Sequence, residues 1–432
     1  MRGNARQDGA SPALTPTLSR RRERGQFKCP PALEPVTDTA LPTPTTVMPP
    51  TSARWVVTAV FFAFALGLGL WAGSTPTLMQ RTGLTAAGLG LALTLHAATY
   101  VAAMTGCGWL SRHVAPRRML LVSLPLHALA FLLLFTADSS LVLTLGLVLV
   151  GATAGSTDLA MNTEGTAVER ELGRPVLTRM HAAASAAFAL GALLGSLLAT
   201  GAGTVWCAAL AVGVVPPVLW ALWRLGPRVV AVPDASVRSA PRGLPPGVLL
   251  LGSVLGLTVA AEITAAMWSS RYLAEQAAQL AAFAGAGAAL FTGSQAAVRF
   301  FGDPLRRRFG DYRLVIASLA TAACGFAFVG LFEGFGPALF GFALVGLGTA
   351  CVVPCCFAMV AARSPHRAAA ALGAASLLSG AVRLPTPLFL GAMATAWSDA
   401  AAFLCIAFGL VVALVLFAVA GAPPRGLEQQ RG

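Results

Sequence analysis

Residues 87–108 read AGLGLALTLHAATYVAAMTGCG, with no charged side chain, and residues 112–120, RHVAPRRML, turn the chain straight into a further apolar run over 119–137. A run of ~20 apolar residues is the length that carries a helix across ~30 Å of hydrocarbon. One such run can be a core helix of a water-soluble protein. Here the runs recur twelve times, at 55–74, 87–108, 119–137, 141–161, 180–201, 204–223, 247–268, 283–302, 314–332, 337–361, 369–393 and 399–420. Twelve cannot all be hidden inside 432 residues. The surrounding medium must be lipid, and the expected fold is an all-α membrane protein of 12 transmembrane helices.

Composition agrees. The chain is 56% hydrophobic and 11% charged, against about 25% charged in soluble domains. Its net charge of +13 does not point to nucleic acid, because the arginines sit beside apolar spans rather than in a solvated basic face with aromatic readers. Alternate gaps hold nineteen arginines, while the gaps between them hold only Arg81 and Arg271. Cationic loops translocate poorly, so both termini are expected in the cytoplasm, with the chain in the inner membrane. The strict alternation also supports an even number of spans.

The motif that opened this reading returns. Arg112-His-Val-Ala115-Pro-Arg-Arg118 follows the second span, and Arg307-Arg-Phe-Gly310-Asp-Tyr-Arg313 follows the eighth, 195 residues later. Both are R-x-x-[A/G]-x-x-R before two apolar residues. The chain therefore reads as two pseudo-symmetric six-helix bundles, 54–223 and 247–420, joined by an arginine- and proline-rich cytoplasmic linker at 224–246 and followed by a tail at 421–432. Such duplicated halves commonly hold a substrate between them near the bilayer midplane. Residues 1–53 are polar and proline-rich and are expected to be disordered. Leu14 to Gly25 resembles a translated intergenic repeat, so Met48 is the expected start. Gly151-x-x-x-Gly155 and Gly191-x-x-x-Gly195 are expected to bring helices close together.

On these features the chain resembles the major facilitator superfamily over about residues 54–420. Its loop motif G-x-x-x-D-R-x-G-R-R is degenerate here: Gly108 keeps the first glycine, Arg112 replaces the acid and Ala115 the second glycine. Asp158-Leu-Ala-Met-Asn162, with Val168-Glu169-Arg170, Gly173-Arg174-Pro175 and His181, is similar to the fucose-permease-like branch. In that branch an acid and an asparagine four residues apart end helix four. The resemblance implies translocation of a small-molecule substrate by alternating access, with proton coupling as in its sugar symporters and a monomer as the working unit.

Charges within a bilayer cost about 2.5–3.5 kcal/mol each, so each needs a reason. Asp158 and Asn162 share a helix face and lie toward the cytoplasmic end of span four. Asp158 would carry a proton and Asn162 would bond a polar substrate. Alternatively, Asp158 is a helix-end acid holding Arg174 or Arg179. His181 opens span five nearby and either modulates that proton or is an interfacial histidine. Glu262 in span seven and Arg383 in span eleven fall at matching depth and are expected to pair, as a gate or proton site or as a static brace. Trp268 and Tyr272 are interface anchors by default, with sugar stacking by Trp268 as the alternative. His96 and His127 read as satisfied core histidines. Arg299 is expected to snorkel to the interface beside Arg306–Arg308. Pro354, Pro385 and Pro387 are expected to kink spans ten and eleven.

No metal or other cofactor is expected. Cys351, Cys355 and Cys356 read as small buried cysteines rather than metal ligands. No phosphate-binding loop, HEXXH, aspartate pair or re-entrant filter occurs, which argues against an ATP-driven pump, an enzyme and a channel. The expected activity is secondary active transport, with sugar-like proton symport ahead of proton-driven efflux of drugs or metabolites. A non-transporting sensor or scaffold is the alternative of another class.

Overall fold

The computed structural model describes residues 50–174, 176–225, 246–364 and 367–421. The expected start at Met48, the tail before Pro50, nearly all of the linker and the tail beyond Gly421 lie outside these residues. Among the described residues, twelve helices are long and apolar enough to cross a membrane. They are span 1 (Ser52–Thr82), span 2 (Ala86–Leu110), span 3 (Pro116–Thr136), span 4 (Ser140–Leu172), span 5 (Leu177–Gly201) and span 6 (Thr204–Arg224), then span 7 (Gly247–Gln276), span 8 (Ala278–Phe300), span 9 (Asp311–Leu331), span 10 (Phe335–Arg363), span 11 (Ala370–Ala396) and span 12 (Asp399–Val419). Helix hydrogen bonds do not require apolar side chains, so several spans run past the limits that hydropathy sets. Span 4 starts where Ser139 Oγ accepts from Val142 N at 3.4 Å and stops at Gly173, whose φ of 61° is left-handed. Asp158 is therefore eighteen residues from Ser140 and fourteen from Leu172, near the middle of its own helix.

The two halves repeat in packing as well as in sequence. Spans 1 and 5, 2 and 4, 3 and 4, and 3 and 6 pack together in the first half; spans 7 and 11, 8 and 10, 9 and 10, and 9 and 12 do so in the second. The offset of 195 residues carries this to single atoms. Thr99 Oγ1 donates to the Val148 carbonyl at 3.0 Å, and Ser294 Oγ to the Ala343 carbonyl at 3.0 Å. A Cβ on Gly151 would overlap the His96 carbonyl, and one on its equivalent Gly346 the Phe291 carbonyl. Likewise Arg81 bonds Thr204 at the start of span 6, while Arg271 bonds Asp399 at the start of span 12, at 2.6 Å. Since lipid offers no hydrophobic drive between helices, close backbone contact of this kind is what holds them.

The halves meet mainly toward one end, opposite the end at which span 1 begins and span 12 finishes. We call these the far end and the termini end. At the far end, the start of span 2 packs on the end of span 11, with Gly90 against Gly391, and the start of span 8 packs on span 5, with Gly285 against Ala192. Ala72, Ala192, Ala288 and Ala289 form a small-residue seal between spans 1, 5 and 8. Trp268, Ser269 and Ser270 are fully enclosed there. Toward the termini end His181 and Arg299 are exposed. The seam between the halves, which we call the cleft, is therefore closely packed at the far end and reaches exposed polar side chains toward the termini end.

Candidate functional site

The first half contributes a row of polar side chains from three spans. Tyr100 Oη on span 2 donates to Asp158 Oδ2 on span 4 at 2.6 Å. One turn on, Asn162 Nδ2 donates to Asp158 Oδ1 at 3.0 Å, and Asn162 Oδ1 lies 3.0 Å from His181 Nε2 on span 5. The His181 ring stands edge-on to Phe61 at 5.0 Å. Asp158, Asn162 and His181 are thus brought together as expected, with Tyr100 added. The partners of Asp158 are Tyr100 and Asn162, not Arg174 or Arg179. It is Glu169 that ties the connecting loop, accepting from Val176 N at 2.8 Å and Leu177 N at 2.9 Å.

The second half answers with Glu262. Its Oε1 accepts from Gln295 Nε2 at 2.8 Å and faces Arg299 Nη2 at 3.4 Å, both on span 8. Gln295 also reaches Thr349 Oγ1 on span 10 at 3.1 Å. Gln295 stands 195 residues after Tyr100, so each half sends a neutral donor from the same repeat position to a carboxylate. The acids themselves differ in place: span 4 in one half, span 7 in the other.

Three expectations are corrected here. Glu262 does not contact Arg383, because Gln295 and Arg299 occupy its carboxylate. Arg299 is exposed toward the termini end, but its guanidinium is held by Glu262 and span 10 rather than standing beside Arg306–Arg308. Pro354 has no N–H to give to the Ala350 carbonyl four residues back, and span 10 breaks at Ala350–Cys351. Arg299 Nε donates to that vacated carbonyl at 3.3 Å. Trp268 and Tyr272 do not sit at an interface. Span 7 continues to Gln276, and the two rings are 2% and 3% exposed inside the second half. Tyr272 Oη donates to the Val329 carbonyl at 3.1 Å.

Arg383 is the last helical residue before span 11 breaks at Leu384–Pro385. The helix before it packs on span 7, with Gly256 against Val382, and the helix after it packs on span 2. The guanidinium lies within electrostatic range of both Tyr100 and Glu262, and that of Arg299 within range of His181. The polar rows of the two halves therefore face one another across the cleft. His96 and His127 stand apart from them, bonded to the Leu147 carbonyl at 3.0 Å and Thr153 Oγ1 at 2.8 Å. Sequence reasoning missed Tyr100, Gln295 and Thr349. The 195-residue offset was the available signal for the first two. Among the described residues, no group of three or more His, Cys, Asp or Glu is placed to hold a metal.

The family model described as Major Facilitator Superfamily matches residues 56–274. The chain is 28% identical over 370 residues to the membrane protein MosC of Rhizobium meliloti, covering 83% of this chain and 89% of that one. It is 27% identical over 382 residues to an uncharacterized MFS-type transporter of Yersinia pestis, covering 87% and 96%. A solved structure of a mutant of the nucleoside transporter NupG superimposes with a TM-score of 0.70 at 11% identity, over 86% of this chain and 100% of that one.

Proposed function

Because the chain belongs to the Major Facilitator Superfamily, and is thus a multi-pass secondary transporter of small molecules rather than an enzyme, we propose that it is a proton-coupled symporter of a small, polar, sugar-like solute. In this reading it belongs to the fucose-permease-like branch, whose acid-x-x-x-asparagine pattern Asp158 and Asn162 repeat. Bundles 54–223 and 247–420 rock about the cleft as one monomer, tethered by the 224–246 linker. The termini end faces the cytoplasm of the inner membrane. Arginine-rich loops favour that orientation. Exposed tryptophans sit at both ends, Trp55 and Trp220 at one and Trp206 and Trp397 at the other, as headgroup-level anchors do.

One observation carries the proposal: among the described residues, each half has a hydrogen-bonded carboxylate near the middle of a helix that lines the cleft. Asp158 lies fourteen residues and Glu262 fifteen residues from the termini-end limit of its span, roughly 20 Å at ~1.5 Å per residue. A carboxylate held by neutral donors can gain and lose a proton without losing its place. The test is solute-driven proton movement in proteoliposomes with a trapped pH dye. Asp158→Asn and Glu262→Gln should still bind solute but stop moving protons. Wild-type proton uptake in both variants refutes the assignment.

A further inference from the structure

We propose that the solute carries an oxyanion, a carboxylate or a phosphate group, and that Arg383 with Arg299 receives it; this rests on the proton-coupled reading above. Arg383 lies at the centre of span 11, thirteen residues from either end. A guanidinium at that depth is costly unless something binds it. Yet among the described residues Arg383 makes no hydrogen bond or ion pair. The one carboxylate of its own half within electrostatic range, Glu262, is in contact with Gln295 and Arg299 instead. A structural brace would show the reverse, with the acid on Arg383. The side chain is instead left uncommitted at the seam where span 11 passes from packing on span 7 to packing on span 2.

The charges around the cleft give the coupling. Within electrostatic range of Arg383 are Tyr100 on span 2 and Glu262 on span 7, and these in turn contact or neighbour Asp158 on span 4, His181 on span 5 and Arg299 on span 8. With both acids ionised, two carboxylates balance two guanidiniums. A proton on Glu262 frees Arg299 from its 3.4 Å partner and leaves the cleft short of negative charge. An anionic solute supplies that charge, so proton and anion strengthen each other's binding, as linkage requires. With Glu262 protonated, a neutral sugar would leave one guanidinium charge uncompensated in a low-dielectric cleft. An amine would add a third cation.

The probes are gluconate, glucose 6-phosphate, glucose and glucosamine, tested on the full-length purified protein at pH 5.5 and 7.5. Thermal stabilisation reports binding, and pH-dye proteoliposomes report transport. At least one of the two acids should stabilise the protein, more strongly at the lower pH, and glucose should do so far less. Gluconate alone points to a carboxylate; glucose 6-phosphate alone points to a phosphate. Arg383→Gln should weaken the acid's apparent affinity more than tenfold, and Arg383→Lys should recover part of it. Stabilisation by neither acid, preference for glucose, or unchanged affinity in Arg383→Gln overturns the proposal. Glucose-driven proton movement with no response to acid overturns the anion assignment and leaves the proton symporter intact. Acid uptake without proton movement does the opposite.

Discussion

The far-end closure rests on a contact with almost no side chain in it, and enlarging that contact should invert the conformational equilibrium. A Cβ built on Gly391 falls 2.6 Å from the Ala86 carbonyl, 3.0 Å from Gly90 Cα and 3.2 Å from Ala87 Cα. All three neighbours are backbone atoms, which cannot swing aside as a side-chain tip does. Gly391→Leu adds four carbons at this point, and overpacking of that kind costs about 1–3 kcal/mol. The cost falls only on the state in which spans 2 and 11 touch. It should therefore shift the ratio of far-end-open to far-end-closed molecules by roughly 5- to 150-fold. Spin labels on exposed Gln80 and Trp397 at the far end, and on exposed Arg179 and Arg308 at the termini end, read the two openings by pulsed electron resonance. Gly391→Leu should lengthen the first distance and shorten the second, and solute counterflow should slow. If both distance distributions match wild type while the protein stays folded, the Gly90–Gly391 contact is not the closing barrier.

Other outcomes follow from the same geometry. Tyr100→Phe and Gln295→Leu each remove a hydrogen bond to a carboxylate, worth about 1.5–3 kcal/mol; solute-driven proton uptake should fall at least tenfold in each, and wild-type rates would separate the donors from the coupling step. Asp399→Asn breaks a pair whose side chains are 8% and 13% exposed. Losing a buried partner costs ~3–5 kcal/mol; the low end applies because Glu275 stays 2.8 Å from Arg271, and a melting scan in detergent should show the drop. Reporter fusions should give a cytoplasmic signal at Arg112 and an external one at Asp138; the reverse pattern overturns the assigned orientation.

Much of the architecture was written in the order of residues. Apolar length supplied the spans, and Arg112 and Arg307 supplied the duplication. Asp158, Asn162 and His181 were legible because two of them share a helix face and the third is fixed by a short loop. Tyr100 and Gln295 were marked in the sequence only by their shared repeat position; their partners are not visible until spans 2 and 8 are rotated against their neighbours. Glu262 was assigned to Arg383 by depth alone; depth ranks candidates, but only the facing of span 8 shows that Arg299 is nearer. Trp268 was misplaced because hydropathy ends a span where polarity begins, whereas the helix itself continues to Gln276.

The broken spans connect the site to its gates. Proline at 354 empties the Ala350 carbonyl, and Arg299 fills it. Proline at 387 likewise has no N–H for the carbonyl of Arg383 four residues back. Each cleft arginine thus borders a break in its own helix or in the one beside it. In span 11, the segment beyond the break makes the far-end contact with span 2, while the segment before it stays packed on span 7. The outer segment can swing away without dragging Arg383 off its depth. Occupancy at Arg383 and closure at Gly391 then become two loads on a single hinge. Under the oxyanion proposal, the Arg383→Gln variant should loosen the link between solute and gate even where it leaves the gate itself able to move. The Gln80–Trp397 distance would then cease to respond to solute, whereas in Gly391→Leu it would respond from a shifted starting point.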